Sequence, residues 1–454
     1  MDISKSKSPI IKAGRRDFIA ALVLCVLLLA VISCRGRNNE VRHVLPGNSP
    51  LSGSLSLDRV LPSSHRIQGF PHIFMGYTGK GGYPAQHFYG RCYMGAFLMV
   101  MQYYGFRDQG LVEGLMGDAF GFQYYSGVRP RIFVMGGPEG YPAGSRNDIF
   151  TKVPGWLGCR VTLPQVKEGS RAWELLKSAL IANHPVIVYV DERPLLPSLS
   201  AISPMRKLQL EELRRNGDEN GNWGHHMVAV GYDSSSVTLF DPGDRAESGS
   251  YQKVPITDFI RAWVGSGPCA YHHYSAFTQI VIVPGAQTPP LGEVVSRSLL
   301  NDLKLLRGLG PQKVPGRRAE EPDSVRYCGL VGLRRLSGDI AARPEMIRDI
   351  GQEGWMFFFG IQGSMAREAA ARSLLSFARF SVKGRKNLEE ASRYLFFSSK
   401  IFREVHTTCL QPGGIGRVSP EYLCGRLKAI AAVEGKAADH MEQALSALAV
   451  PSKR

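Results

Sequence analysis

Four residues of this 454-residue chain have types and surroundings suited to acyl chemistry together: Gln86, Cys92, His225 and Asp241. A thiol becomes a nucleophile once deprotonated, and an imidazole oriented by a carboxylate can take that proton and later return it to a leaving group. Cys92 opens the run CYMGAFLMVM, in which Met94, Phe97, Leu98 and Met101 fall at i, i+3, i+4 and i+7. That spacing predicts an amphipathic helix with Cys92 in its first turn. The positive end of the helix dipole favours a thiolate there. Gln86 lies six residues earlier on the approach loop, from which its amide could join the Cys92 backbone N–H in an oxyanion hole.

The imidazole must come from a distant stretch, WGHHMVAVGYDSSSVTLFDP, residues 223–242. His226–Tyr232 is apolar and β-branched, Asp233-Ser-Ser-Ser is turn chemistry, and Val237–Phe240 is a second β-forming run. The pattern predicts a hairpin that brings the histidine at its start close to Asp241 at its end. Successive strand residues face opposite sides, so only one of the adjacent His225 and His226 is expected to face Cys92.

Gln-x5-Cys before a helix, then a His with Gly-Tyr six positions on and a polar partner sixteen positions on, resembles the papain-like thiol enzymes, and among them the C39-like peptidases. His225, with Gly231 and Asp241, fits both spacings, so the resemblance selects His225 over His226. Val112–Tyr125 and Trp173–Leu196 are similar to the N-terminal domain of the butirosin-biosynthesis acyltransferase family. The resemblance covers roughly residues 70–285, and it implies an α+β, papain-like (C39-like) cysteine-peptidase fold followed by a C-terminal all-α domain. It implies a Cys-His-Asp acyl-enzyme mechanism acting on an amide or thioester, ending in hydrolysis or in transfer to an amine. The sequence departs from the pattern at Tyr93, where C39-like relatives usually have Gly. That departure supports an alternative: a catalytically degenerate binding or scaffolding lipoprotein on the same fold.

Other elements follow from periodicity. A further turn of helix is expected near Leu111–Met116 and then at Ala119–Tyr125, and Val128–Arg146 reads as an irregular loop. Trp173, Leu176 and Leu180 mark one side of a helix over Arg171–Ala182, which Asn183-His184-Pro185 ends. PVIVYV, 185–190, reads as a strand buried on both faces, and residues 191–222 as a long excursion with a short helix around Leu208–Arg215. Ile256–Trp263 reads as a helix and Ala276–Val283 as a closing strand. Beyond Pro284 the pattern turns helical. Glu293–Arg307 is one helix, Ala366, Ala370, Leu374 and Phe377 line another, and Leu388, Ala391, Leu395, Phe402, Val405 and Cys409 line a third. Met356–Phe359 is an apolar patch expected in the core, and a last helix runs from about Pro420 to Leu448.

The division expected is a lipoprotein signal peptide over 1–33, a tether over 34–68, a thiol-enzyme domain over 69–285, a linker over 286–322 and a helical domain over 323–454. Lys5, Lys7, Lys12, Arg15 and Arg16 form a basic start. Phe18–Ile32 is an apolar run shorter than the roughly 20 residues of a comfortable span. Val31-Ile-Ser-Cys34 then resembles a lipobox, which implies lipidation of Cys34, export to the cell envelope and anchoring to a membrane.

The formal charge is +16, and residues 291–454 hold 26 basic against 17 acidic residues. Such a surface suits an anionic phospholipid face. No basic patch is interleaved with aromatics, so nucleic acid is not an expected partner. No CxxC or Cys/His spacing supports a zinc site, and neither metal nor cofactor is expected. The expected partners are a peptide or small acyl or amide substrate, and the membrane through the lipid anchor. Cys159, Cys269, Cys328, Cys409 and Cys424 suggest no disulfide framework.

Overall fold

The computed structural model describes residues 61–71, 92–127, 130–133, 149–164, 166–199, 211, 224–242, 251–264, 277–308, 311–314, 324–411 and 413–449. The segment expected to be a signal peptide, Cys34, Gln86, Cys269 and most of the helix expected around Leu208–Arg215 therefore lie outside the described residues. Leu51–Arg454 clusters as one compact unit. Among the described residues no helix is long and apolar enough to cross a membrane.

The strands in chain order are β1 (His65–Arg66), β2 (Gln123–Ser126), β3 (Arg131–Phe133), β4 (Arg160–Thr162), β5 (Val186–Asp191), β6 (Gly224–Tyr232), β7 (Ser236–Phe240), β8 (Gln252–Pro255), β9 (Gln279–Val283), β10 (Gln312–Val314) and β11 (Ser324–Cys328). The helices are α1 (Cys92–Tyr103), α2 (Gln109–Met116), α3 (Ile149–Trp156), α4 (Gly169–Ile181), α5 (Leu196–Leu199), α6 (Ile256–Val264), α7 (Leu291–Arg307), α8 (Gly329–Ala342), α9 (Met346–Met356), α10 (Ala366–Arg379), α11 (Arg385–Cys409) and α12 (Pro420–Ala449). Mixed sheets with a helical C-terminal region make the fold α+β.

The larger sheet has the antiparallel order β4-β9-β5-β6-β7-β8, with β1 paired to the end of β6. Its centre follows from composition. All six residues of β5 and eight of the nine in β6 are buried, as two-sided coverage requires. The strand expected to close the domain, β9, instead lies between β4 and β5. The register of β6 against β7 shifts between Ala229 and Gly231. Gly231 is required there: a Cβ would stand 2.7 Å from the His65 carbonyl oxygen. The glycine of the motif thus admits β1 alongside β6.

Helix α1 packs on β6, β5 and α2. Its residues 92–101 are all buried, so it is a wholly covered helix and not the amphipathic one its Met and Phe spacing suggests. In α4 the buried stripe is Ala172, Leu176 and Leu180, with Trp173 only half-buried. Asn183 ends that helix region with φ +58°, a left-handed conformation that Asn tolerates better than most residues.

The helical region shares the same core. A second antiparallel sheet, β10-β11-β2-β3, joins strands from both halves of the chain, with Tyr124 opposite Tyr327. Helix α10 packs on α2 so closely that a Cβ on Gly114 would meet the Phe377 ring at 2.5 Å. Within the expected linker, α7 buries Val294, Val295, Leu299, Leu303 and Leu306. Each such side chain contributes about 1.5–3 kcal/mol when fully covered. Trp355, Phe358, Phe359 and Phe402 form one aromatic cluster, where Phe357–Met365 is wound as a π-helix.

A buried ion pair ties these layers together. Arg367, fully buried, donates to both Glu434 oxygens at 2.6 and 3.0 Å and to the Ala119 and Gly121 carbonyls at 2.7 and 3.0 Å. Ser398 donates to the same carboxylate at 2.8 Å. Buried charge is tolerated when it is this fully hydrogen-bonded.

Candidate active site

Strand β6 is pinned by β5 on one side, with Val190 opposite His225 and Tyr189 opposite His226. β7 pairs along its other side and ends at Phe240, so Asp241 follows directly and the hairpin returns its carboxylate to the start of β6. His225 Nε2 donates to Asp241 Oδ1 at 2.7 Å, and Glu192 Oε1 lies 3.4 Å from the same nitrogen. All three residues are buried. A neutral imidazole that donates from Nε2 keeps its lone pair on Nδ1, the atom then able to take a proton. Burial opposes a charge on His225, yet the Glu192 and Asp241 carboxylates, Cys92 and the Asp241 hydrogen bond outweigh it, so His225 protonates well above the ordinary histidine range.

Cys92 is the first residue of α1 and is 8 % exposed. Its thiol lies 3.5 Å from His226 Nδ1. His226 is fully buried among Tyr189, Phe150 and Tyr93, with ring centroids at 4.9, 5.6 and 6.2 Å. The imidazole in contact with the thiol is therefore His226, whereas the spacing assigns that contact to His225. The reason is alternation along β6: His226 occupies the side on which α1 and α3 pack, and His225 turns to the carboxylates. Cys92 still acts on His225 electrostatically. Tyr93 is 2 % exposed and packs on Phe150 and His226, so its ring is part of the core beneath the strand.

The structure thus gathers Cys92, His225 and Asp241, while Gln86 lies outside the described residues. It adds two groups that the motif did not name, His226 on the thiol and Glu192 on His225. Glu192 was readable in principle, as the acidic pair Asp191-Glu192 ends the strand that neighbours the histidines. The ligand atoms of Glu192, His225 and Asp241 lie within 4.8 Å of one another. Zinc ligands bound at about 2.0–2.1 Å in a tetrahedron stand roughly 3.3 Å apart. The 2.7 Å His225–Asp241 separation is that of a hydrogen bond, so the trio reads as a hydrogen-bonded pair with a second carboxylate beside it and not a cation cage.

Elsewhere, burial pushes the Cys159 and Cys409 thiols each up to about 11, and none of Cys92, Cys159, Cys328, Cys409 and Cys424 forms a disulfide.

Residues 149–271 match the Peptidase_C39 like family, a segment that holds Glu192, His225, His226 and Asp241 and stops short of Cys92. Among solved structures, a protein of Bacillus anthracis described as a C39-like peptidase aligns with 17% identity and a TM-score of 0.30, over 50% of this chain and 100% of its own. No curated protein matches the chain. A histidine-bearing hairpin read from sequence and found in the structure beside a helix-borne cysteine thus lies in the part of the chain, residues 149–271, that is similar to the C39-like peptidases.

Proposed function

We propose that the protein is an envelope-anchored cysteine-dependent acyl enzyme that cleaves an amide bond, passing the acyl group to water or to an amine. The observation that carries this reading is the His225–Asp241 hydrogen bond, set at the mouth of the hairpin within electrostatic reach of Cys92. With His225 already carrying the proton as an imidazolium, Cys92 reacts as the thiolate, and Sγ attacks the substrate carbonyl carbon. The tetrahedral adduct collapses as His225 returns the proton to the departing amine, leaving a thioester on Cys92. Water, deprotonated by His225, then releases the acid and regenerates the thiol; an amine in its place completes a transfer. His226 holds the thiol at rest. The proton carrier is assigned to His225 because carboxylates stabilise an imidazolium, and Asp241 and Glu192 both contact His225.

A second reading takes His226 as the base, favoured by its 3.5 Å contact with the thiol. One experiment separates them: Cys92 labelling by an acylating thiol probe near neutral pH, followed by peptide mass spectrometry. On the first reading Cys92→Ala and His225→Ala abolish labelling, while His226→Ala retains it. The opposite pattern for the two histidines establishes His226. Labelling of wild type no faster than that of Cys159 points instead to a binding protein on this fold.

Anchoring rests on the basic–apolar–VISC succession that ends at Cys34. An exported enzyme has no access to cytosolic acyl carrier proteins, which favours hydrolysis or transpeptidation over acyl transfer from a carrier. Metabolic incorporation of an alkyne fatty acid should be lost in Cys34→Ala; equal label in both proteins excludes the anchor.

A further inference from the structure

We propose that Glu192 is a second positioning residue for His225: its carboxylate stands 3.4 Å from the Nε2 that donates to Asp241, supports the imidazolium by its charge, and accepts the N–H when Asp241 cannot. This rests on the reading of His225 as proton carrier. One N–H makes one strong hydrogen bond, and at 2.7 Å Asp241 has it; at 3.4 Å Glu192 sits beside the same proton. Its placement is fixed by the backbone. β5 ends at Asp191, and the Glu192 carbonyl accepts from the Leu195 and Leu196 N–H groups at 2.8 and 3.0 Å as α5 begins. The adjacent Asp191 is engaged by Arg193, through its backbone N–H and its guanidinium. Glu192 is 6 % exposed, and a buried carboxylate requires a partner that compensates its charge.

The groups that face His225 are Cys92 from α1, Glu192 after β5 and Asp241 after β7, with the Arg193–Asp191 pair next to Glu192. Either carboxylate stabilises the imidazolium, and a neighbouring charge at this range shifts a titration by about 1–3 pH units. The two carboxylates therefore add their charge at one nitrogen, Asp241 through a hydrogen bond and Glu192 through proximity. Loss of either weakens the imidazolium, and loss of both removes its support.

The test is the pH dependence of Cys92 carboxymethylation by iodoacetate, with the site read by peptide mass spectrometry. An imidazolium attracts the reagent's carboxylate, so the rate falls on the basic side as His225 loses its proton. Wild type should show that limb above the ordinary histidine range. Glu192→Gln and Asp241→Asn should each bring it down by about one unit. The double variant should lose more than the product of the single losses at pH 7, by about tenfold. Glu192→Asp, which keeps the charge, should restore the wild-type limb, and Glu192→Ser replaces Glu192→Gln if the latter does not fold. A limb that vanishes in His225→Ala yet stays put in Glu192→Gln overturns the role of Glu192 alone. A limb that survives His225→Ala overturns the proton-carrier reading and this proposal with it. Equal shifts in Glu192→Asp and Glu192→Gln reduce the residue to packing and also overturn the proposal.

Discussion

At the residue scale, two adjacent histidines with different surroundings do different work. His226, enclosed by Tyr93, Phe150 and Tyr189, behaves as a core residue that also touches a thiol. His226→Ala should lower the urea unfolding free energy by about 2 kcal/mol, in the range of buried truncations. His225 has the opposite signature, since its folded-state pKa is raised. Its contribution to stability is then fully present below its unfolded value near 6.5 and is lost as pH rises through the folded value. Urea midpoints between pH 6 and 10 should fall for wild type across that window, and His225→Gln should flatten the decline. The meeting of His225 with Asp241 was legible from spacing, because a hairpin of fixed length sets where its two ends meet. The face each imidazole takes was not. That depends on which side of β6 receives α1, which is a long-range fact.

At the element scale, the helices were legible from periodicity, and their partners were not. The apolar stripe on α11 was legible because its other face is solvated, although Ser392, Ser398, Ser399 and Ile401 are buried with it and escaped the pattern. Helix α1 was misjudged as amphipathic because coverage on all sides leaves the same Met and Phe spacing. Helix α7 contains a second thing no pattern announces, the fully buried Asp302. Its protonation is pushed well above the usual carboxylate range by burial, against the opposing pull of Lys152 and the 3.4 Å bonds from Asn301 and Ser298. A carboxyl raised in this way stabilises the fold fully below about pH 4, and that contribution is lost as pH rises through the folded value. Asp302→Asn should therefore stabilise the protein at neutral pH, by about 1–2 kcal/mol, and change little at acid pH. Thermal midpoints at pH 4 and pH 8 check it; a variant less stable than wild type at pH 8 contradicts the account.

At the scale of the whole molecule, residues 51–454 behave as one body because elements from both ends of the sequence complete each other. Composition changes near residue 285, which reads as a boundary, yet pairing of β2 with β11 crosses it. Arg367, paired with Glu434, crosses it again by donating to the Ala119 and Gly121 carbonyls. Arg367→Ala leaves Glu434 buried without its cation and should cost about 3–5 kcal/mol. Urea unfolding followed by far-ultraviolet dichroism and by probe access to Cys92 should give coincident curves, shifted together in that variant. Separate transitions would show that the helices melt alone. The order of β9 in the larger sheet also has a bearing on synthesis. β5 and β6 leave the ribosome well before β9, so for that interval the middle of the sheet is a bare apolar edge, open to pairing with any extended chain nearby. Until the nascent chain passes Val283 the hairpin has its histidines but no complete sheet to hold them, and until it passes Cys328 β2 has only β3 beside it. A polypeptide kept unfolded until its full length is available, as one exported before folding would be, avoids that hazard altogether.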